Sequence, residues 1–172
     1  MIRELDPTAD LAAVEALFAR AADHVELESG PVAPADSAAD LFAPSRDPGA
    51  ESAPVLVLGL FGGEGLTGVA GMIWGFPEAS DAYLGLLLLA PAARGQGAGR
   101  RLLGAVEGAA RARGASRLVV AVLDANPRGR AFWDREGFRP VARIEGRAFG
   151  AKVHDVTRMA RSLADLPTLP GR

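Results

Sequence analysis

The chain has 172 residues, 49% of them hydrophobic and 23% charged, with a formal net charge of −2. That length buries one core, and the composition excludes a disordered chain. Zero Cys excludes a disulfide framework and a thiolate nucleophile, and His24 and His154 lie too far apart in sequence for metal-ligand spacing.

In chain order, Ile2 to Leu5 reads as a short first strand, followed by a turn from Asp6 to Thr8. Leu11, Val14, Leu17 and Phe18 then recur on one face of a helix. Residues 22–53 are rich in Ala, Pro, Ser, Asp and Glu, with short helical turns expected around Val25 and Leu41. This stretch reads as a mobile surface segment. Pro54 to Phe61 is a strand, Gly62 to Gly65 a turn, and Thr67 to Phe76 its hairpin partner. An uncharged strand, Tyr83 to Leu89, is closed by Pro91. Leu102, Leu103, Val106, Ala109 and Ala110 then mark an amphipathic helix, and Leu118 to Leu123 a parallel strand. Asn126-Pro127 opens another helix. Phe138 to Ile144 and Lys152 to Met159 read as a closing antiparallel pair around a Gly146–Gly150 turn, with a loose tail over 162–172. Residues 1–161 form one α/β domain without internal repeats.

Between the uncharged strand and its helix lies Arg94-Gly95-Gln96-Gly97-Ala98-Gly99. A glycine-rich turn at a helix start leaves backbone N–H groups free, and the positive end of the helix dipole joins them in binding phosphate. The nucleotide-hydrolase loop is excluded, because the one lysine is Lys152. The dinucleotide fingerprint of an oxidoreductase needs a third glycine where Arg100 stands, although Asp124 mimics its ribose-binding acid.

Further residues decide between these loops. Arg94, Gly97 and Gly99, followed by Asn126, Trp133, Gly137 and Phe138, reproduce two linked motifs, R-x-x-G-x-G and N-x(6)-Y-x(3)-G-F, with Trp133 at the tyrosine position. Over about residues 80–145 the chain resembles the GNAT superfamily of N-acetyltransferases. The resemblance implies a mixed central sheet with flanking helices, whose parallel strand pair splays apart at the cofactor site. It implies transfer of an acetyl group from acetyl-CoA, by direct attack, to a primary amine of a small molecule or an exposed protein amine. The alternative is a catalytically weak, coenzyme A-binding sensor or partner module. Leu87 and Leu89 are expected to offer backbone groups to the pantetheine arm, and the Leu89 N–H to polarise the thioester carbonyl. The backbone of Gln96, Gly97, Ala98, Gly99 and Arg100, next to Gly95, is expected to hold the phosphates, with Arg94 beside them. Asn126 is expected to cap the helix, and the resemblance implies that it also touches the cofactor arm.

Trp133 departs from the pattern, since indole is no acid in water. It is read as packing against the pantetheine or the core. For the base, Asp81 and Tyr83 share a face of one strand if no bulge intervenes; His24, Glu26 and Glu28 compete from the segment over 22–53, which in GNAT proteins lies over the acceptor. Residues 1–90 carry 14 Asp and Glu against three Arg, and residues 91–172 carry 16 Lys and Arg against seven acids. A basic cofactor half and an acidic acceptor half would favour a cationic amine. Nucleic acid is excluded as a partner by the acidic balance and the lack of aromatics among the basic residues. No apolar run approaches the ~18 residues of a membrane span, and the first residues lack a signal-peptide pattern. The expectation is a cytoplasmic, metal-free protein with a homodimer left open.

Overall fold

The longest helix, α4 (Ala98–Ala112), turns Leu102, Leu103, Val106 and Ala110 inward, and all four are buried. Their i, i+3, i+4 recurrence produces the apolar stripe, and burying each large side chain contributes roughly 1.5–3 kcal/mol. The stripe lies on a seven-stranded sheet made of β1 (Ile2–Glu4), β2 (Val55–Gly62), β3 (Gly65–Trp74), β4 (Asp81–Leu89), β5 (Arg117–Leu123), β6 (Arg139–Phe149) and β7 (Lys152–Ser162). The spatial order is β1-β2-β3-β4-β5-β7-β6, and β4–β5 is the parallel pair. The computed structural model describes residues 1–31, 37–45, 47–63 and 65–164.

On the other face lie α1 (Leu11–Arg20), α2 (Ala22–Ser29) and the short α3 (Ser37–Asp40). Val14 and Leu17 of α1 are fully buried against Leu5, Val57, Val69 and Leu88. The helix α5 (Pro127–Arg135) follows β5, and its Trp133 joins the α4 core together with Phe138. Among the described residues, no helix is long and apolar enough to cross a membrane. The mixed sheet, the flanking helices and the parallel pair are the architecture read from the sequence.

Two local departures matter. Gly71 pairs with Leu86 and Met72 with Leu84, so Gly85 is an extra residue in β4. Before this bulge Ala82 and Leu84 face the α4 core; after it Leu87 and Leu89 do, and Leu86 and Leu88 turn to the α1 face. The bulge thus switches which parity of side chain meets which layer. In β6 the register slips between Ile144 and Arg147, so the strand runs through Gly146 as far as Phe149, past the expected turn. At the other end, the expected loose tail begins at Ser162, which is the last residue of β7; residues 165–172 lie outside the described residues, as do 32–36 and 46 of the expected mobile segment.

Candidate active site

Pairing between β4 and β5 ends at Leu84–Val120, while β5 continues to Leu123 against β7 alone. The two parallel strands therefore part like a V. The Ala90 N–H donates to Thr67 O at 2.9 Å, which directs the even-numbered backbone groups of this stretch toward β3. Alternation then turns those of Leu87 and Leu89 toward the opening. A cleft of about 760 Å³ occupies the V and extends from the glycine turn to the far side of the sheet.

At one end stands the glycine turn. Gly95 and Gly97 both hold φ of 76°, a left-handed conformation that side chains rarely adopt, and a Cβ on either would meet nothing within 4 Å. The space in front of the turn is therefore open to a ligand. The first bond of α4 runs from Arg101 N–H to Gly97 O at 3.1 Å, and no side chain caps the helix. The preceding N–H groups are left for an anion. Arg100, its side chain 81% exposed, lines this end, as do Arg128 and Arg135 of α5. The open glycine turn, the orphan donors and these three cations fit the pyrophosphate and phosphate of coenzyme A.

Of the residues expected at the cofactor, Leu87, Leu89, Arg94, Gly95, Gly97, Gly99, Arg100, Asn126 and Trp133 line the cleft, and Gln96 and Ala98 do not. Gln96 instead donates through Nε2 to Ala92 O at 2.8 Å, and the Ala98 side chain is buried. Gly99 lies under the Phe132 ring, which a Cβ would approach to 3.3 Å. Asn126 caps α5 by accepting from the Gly129 N–H at 2.9 Å while facing the cleft. Arg94 departs from expectation. Its Nε donates to Leu89 O at 3.1 Å and its two Nη groups grip the Asp23 carboxylate, one of them at 2.9 Å. Its guanidinium is thus a strut between β4 and α2 rather than a phosphate ligand. The same hydrogen bond holds the Asp23 carboxyl at about 2, so the pair stays charged throughout the neutral range.

Trp133 is 8% exposed and meets Phe132 and Phe138 edge-on, at centroid distances of 4.8 and 5.1 Å. It packs into the core with one border on the cleft. Trp133→Phe should therefore keep turnover within about one order of magnitude and lose about 1–3 kcal/mol of stability. Thermal melts and initial rates on the same sample check this, and a hundredfold loss of rate without loss of stability would refute it.

The opposite end is built from both faces of the fold. Asp23, His24, Leu27 and Glu28 of α2 line it from above, with Asp47, Tyr83, Arg147 and Phe149 around them. Asp81 is absent from this group. It is 2% exposed at the far end of β4, where Arg117 Nε and Nη2 donate to its two oxygens at 2.9 and 2.7 Å. A carboxylate so engaged holds two strands together and is not available as a base. Tyr83 does line the cleft, but burial and then the Asp47 carboxylate push its phenol up. It remains protonated at neutral pH and can donate a hydrogen bond, not accept the proton of an amine. Of the competitors, Glu26 is exposed and outside the cleft, whereas His24 Nε2 is shielded from solvent with no partner among the described residues. A shielded nitrogen without a partner costs stability, so it calls for an explanation. Asp47, Arg147, Phe149, Arg128 and Arg135 were not legible as site residues, since none carries a local motif.

The sequence model of the acetyltransferase (GNAT) family matches residues 13–138. The chain belongs to the GNAT family of acetyltransferases. The matched stretch of this GNAT chain takes in the glycine turn, the splayed pair and α5, and stops before β6 and β7. No curated protein matches it. Among solved structures it is similar to an acetyltransferase from Thermus thermophilus, at 26% identity and a TM-score of 0.73, covering 94% of this chain and 96% of that one. The ribosomal-protein-S18-alanine N-acetyltransferase of Escherichia coli aligns at 20% identity and a TM-score of 0.65, over 98% of this chain and 99% of that one. The IAA acetyltransferase of Bacillus cereus aligns at 16% and 0.65, over 94% and 98%. The last two show the shared fold.

Proposed function

We propose that this GNAT acetyltransferase moves an acetyl group from acetyl-CoA to a primary amine. The observation that carries this reading is the cleft itself: a phosphate-type glycine turn at one end, the strand edge at Leu87 and the Leu89 N–H, left unpaired by β5, in the middle, and His24 with Glu28 at the other end. The Leu89 N–H supports the thioester carbonyl as negative charge grows on its oxygen. The neutral amine nitrogen forms the new C–N bond and gives its proton to the His24 imidazole, which borders the cleft. The C–S bond then breaks and coenzyme A leaves as its thiolate. With a thiol pKa of about 8.5, that anion departs without a strong acid at the Trp133 position. Glu28, whose carboxylate has no ion-pair partner among the described residues, attracts the ammonium form of the acceptor on arrival, and that ammonium gives one proton to water before its nitrogen attacks.

Release of free thiol from acetyl-CoA in the presence of an amine panel tests the reading. Binding of acetyl-CoA without thiol release from any amine would leave the coenzyme A-binding module instead. If His24 is the base, His24→Ala should lower kcat/KM at neutral pH about a hundredfold, with acetyl-CoA affinity unchanged. An unaltered kcat/KM would eliminate His24.

A further inference from the structure

The acceptor end is bordered by a ring of contacts, and α2 is its upper member. At the start of α2, Asp23 is gripped by Arg94, which itself holds Leu89 O at the end of β4. At its end, the last carbonyls of α2 are taken by the β6–β7 hairpin. Lys152 Nζ donates to Glu26 O at 2.6 Å and to Leu27 O at 3.3 Å, and the Ala151 N–H donates to Ser29 O at 3.0 Å. His154 Nε2 lies 2.8 Å from Glu28 O. The turn is pressed so closely onto the helix end that a Cβ on Gly150 would stand 2.9 Å from Ser29 O. Below, Arg147 reaches from β6 to an ion pair with Asp47, in the segment packed beneath Tyr83.

We infer that the acceptor is a compact amine enclosed by this ring, and not a peptide or protein chain that runs across the cleft. The inference rests on the acetyl-transfer reading. An extended peptide advances about 3.3–3.6 Å per residue and needs partners for its own backbone groups along its path. Between α2 and the hairpin that path is crossed by the bonds from Ala151, Lys152 and His154, which already occupy the helix carbonyls. Inside the ring, His24, Glu28 and the Asp47–Arg147 pair offer side-chain chemistry suited to a small ammonium compound. The ring is closed by polar fasteners, since only Val25 and Ser29 of α2 are buried. Cutting these fasteners should widen it without dismantling the core.

The test is a set of acceptors graded in size, from short alkylamines and diamines through amino-acid amides to hexapeptides with free N termini, assayed by thiol release with acetyl-CoA. For the unmodified protein, kcat/KM should fall at least about tenfold from the small amines to the hexapeptides. In the double substitution Lys152→Ala and His154→Ala, the ratio of peptide to small-amine turnover should rise by about the same factor, with acetyl-CoA affinity unchanged. Lys152→Met, which keeps the aliphatic stem, replaces the double substitution if circular dichroism shows that variant unfolded. Peptides used as readily as small amines by the unmodified protein, or an unchanged ratio in a folded ring-cut variant, would overturn the enclosure and leave acetyl transfer standing. Absence of thiol release from every acceptor would instead overturn acetyl transfer, and the acceptor assignment with it.

Discussion

Gly97→Glu is expected to raise the dissociation constant for acetyl-CoA about a thousandfold while the protein stays folded. Gly97 holds φ of 76° with open space before it, so the substitution meets no neighbouring atoms but forces a side chain into the left-handed region. That strain costs about 1–2 kcal/mol. A carboxylate set a few ångströms from the bound phosphates adds about 2–4 kcal/mol of repulsion near the protein surface. The sum, roughly 4.5 kcal/mol at its middle, corresponds to about three orders of magnitude. Gly97→Ala carries the strain without the charge and should lose only about tenfold. Isothermal calorimetry on both variants separates the two contributions, and unchanged affinity in Gly97→Glu would remove the glycine turn from the cofactor site.

Asp81→Ala should act in the opposite way, on stability and not on catalysis. The carboxylate is 2% exposed and accepts two bonds from Arg117, and its Oδ2 also accepts from the Glu78 N–H at 3.3 Å. Removing one member of a buried pair costs about 3–5 kcal/mol. Here Arg117 is 38% exposed and can recover water, which places the loss near the lower figure. For a domain of this size about 3 kcal/mol lowers Tm by about 6–12 °C. Below that temperature kcat and the KM for acetyl-CoA should be retained. A base at position 81 would give the reverse pattern, with Tm held and kcat reduced about a hundredfold or more.

The residues that were legible in advance owe their places at the cleft to local chemistry. Gly95 and Gly97 need left-handed backbone, Asn126 with Pro127 builds a helix cap, and Leu87 and Leu89 sit at fixed spacing before Pro91. Each of these is decided within a few residues of itself. Misplaced or missed residues depend on partners far along the chain. Arg94 turns away from the phosphates because Asp23, 71 residues earlier, is brought beside it. Asp81 carries an ordinary surface residue type, and only the alignment with Arg117 across the parallel pair shows why it is buried. Arg147 and Phe149 enter the cleft through a slip in the β6 register that no glycine spacing announced. His24 was one of three residues competing from the segment over 22–53, and the side of α2 that faces the cleft sets aside Glu26 alone.

Lys152 is the chain's single lysine, and its ammonium is spent on two carbonyls at the end of α2. The protein thus carries one side-chain amine whose freedom tracks the joint between α2 and the hairpin. An amine-directed acylating reagent should modify Lys152 slowly while the joint holds and faster each time it parts, so labelling at this one peptide becomes a clock for the ring's opening.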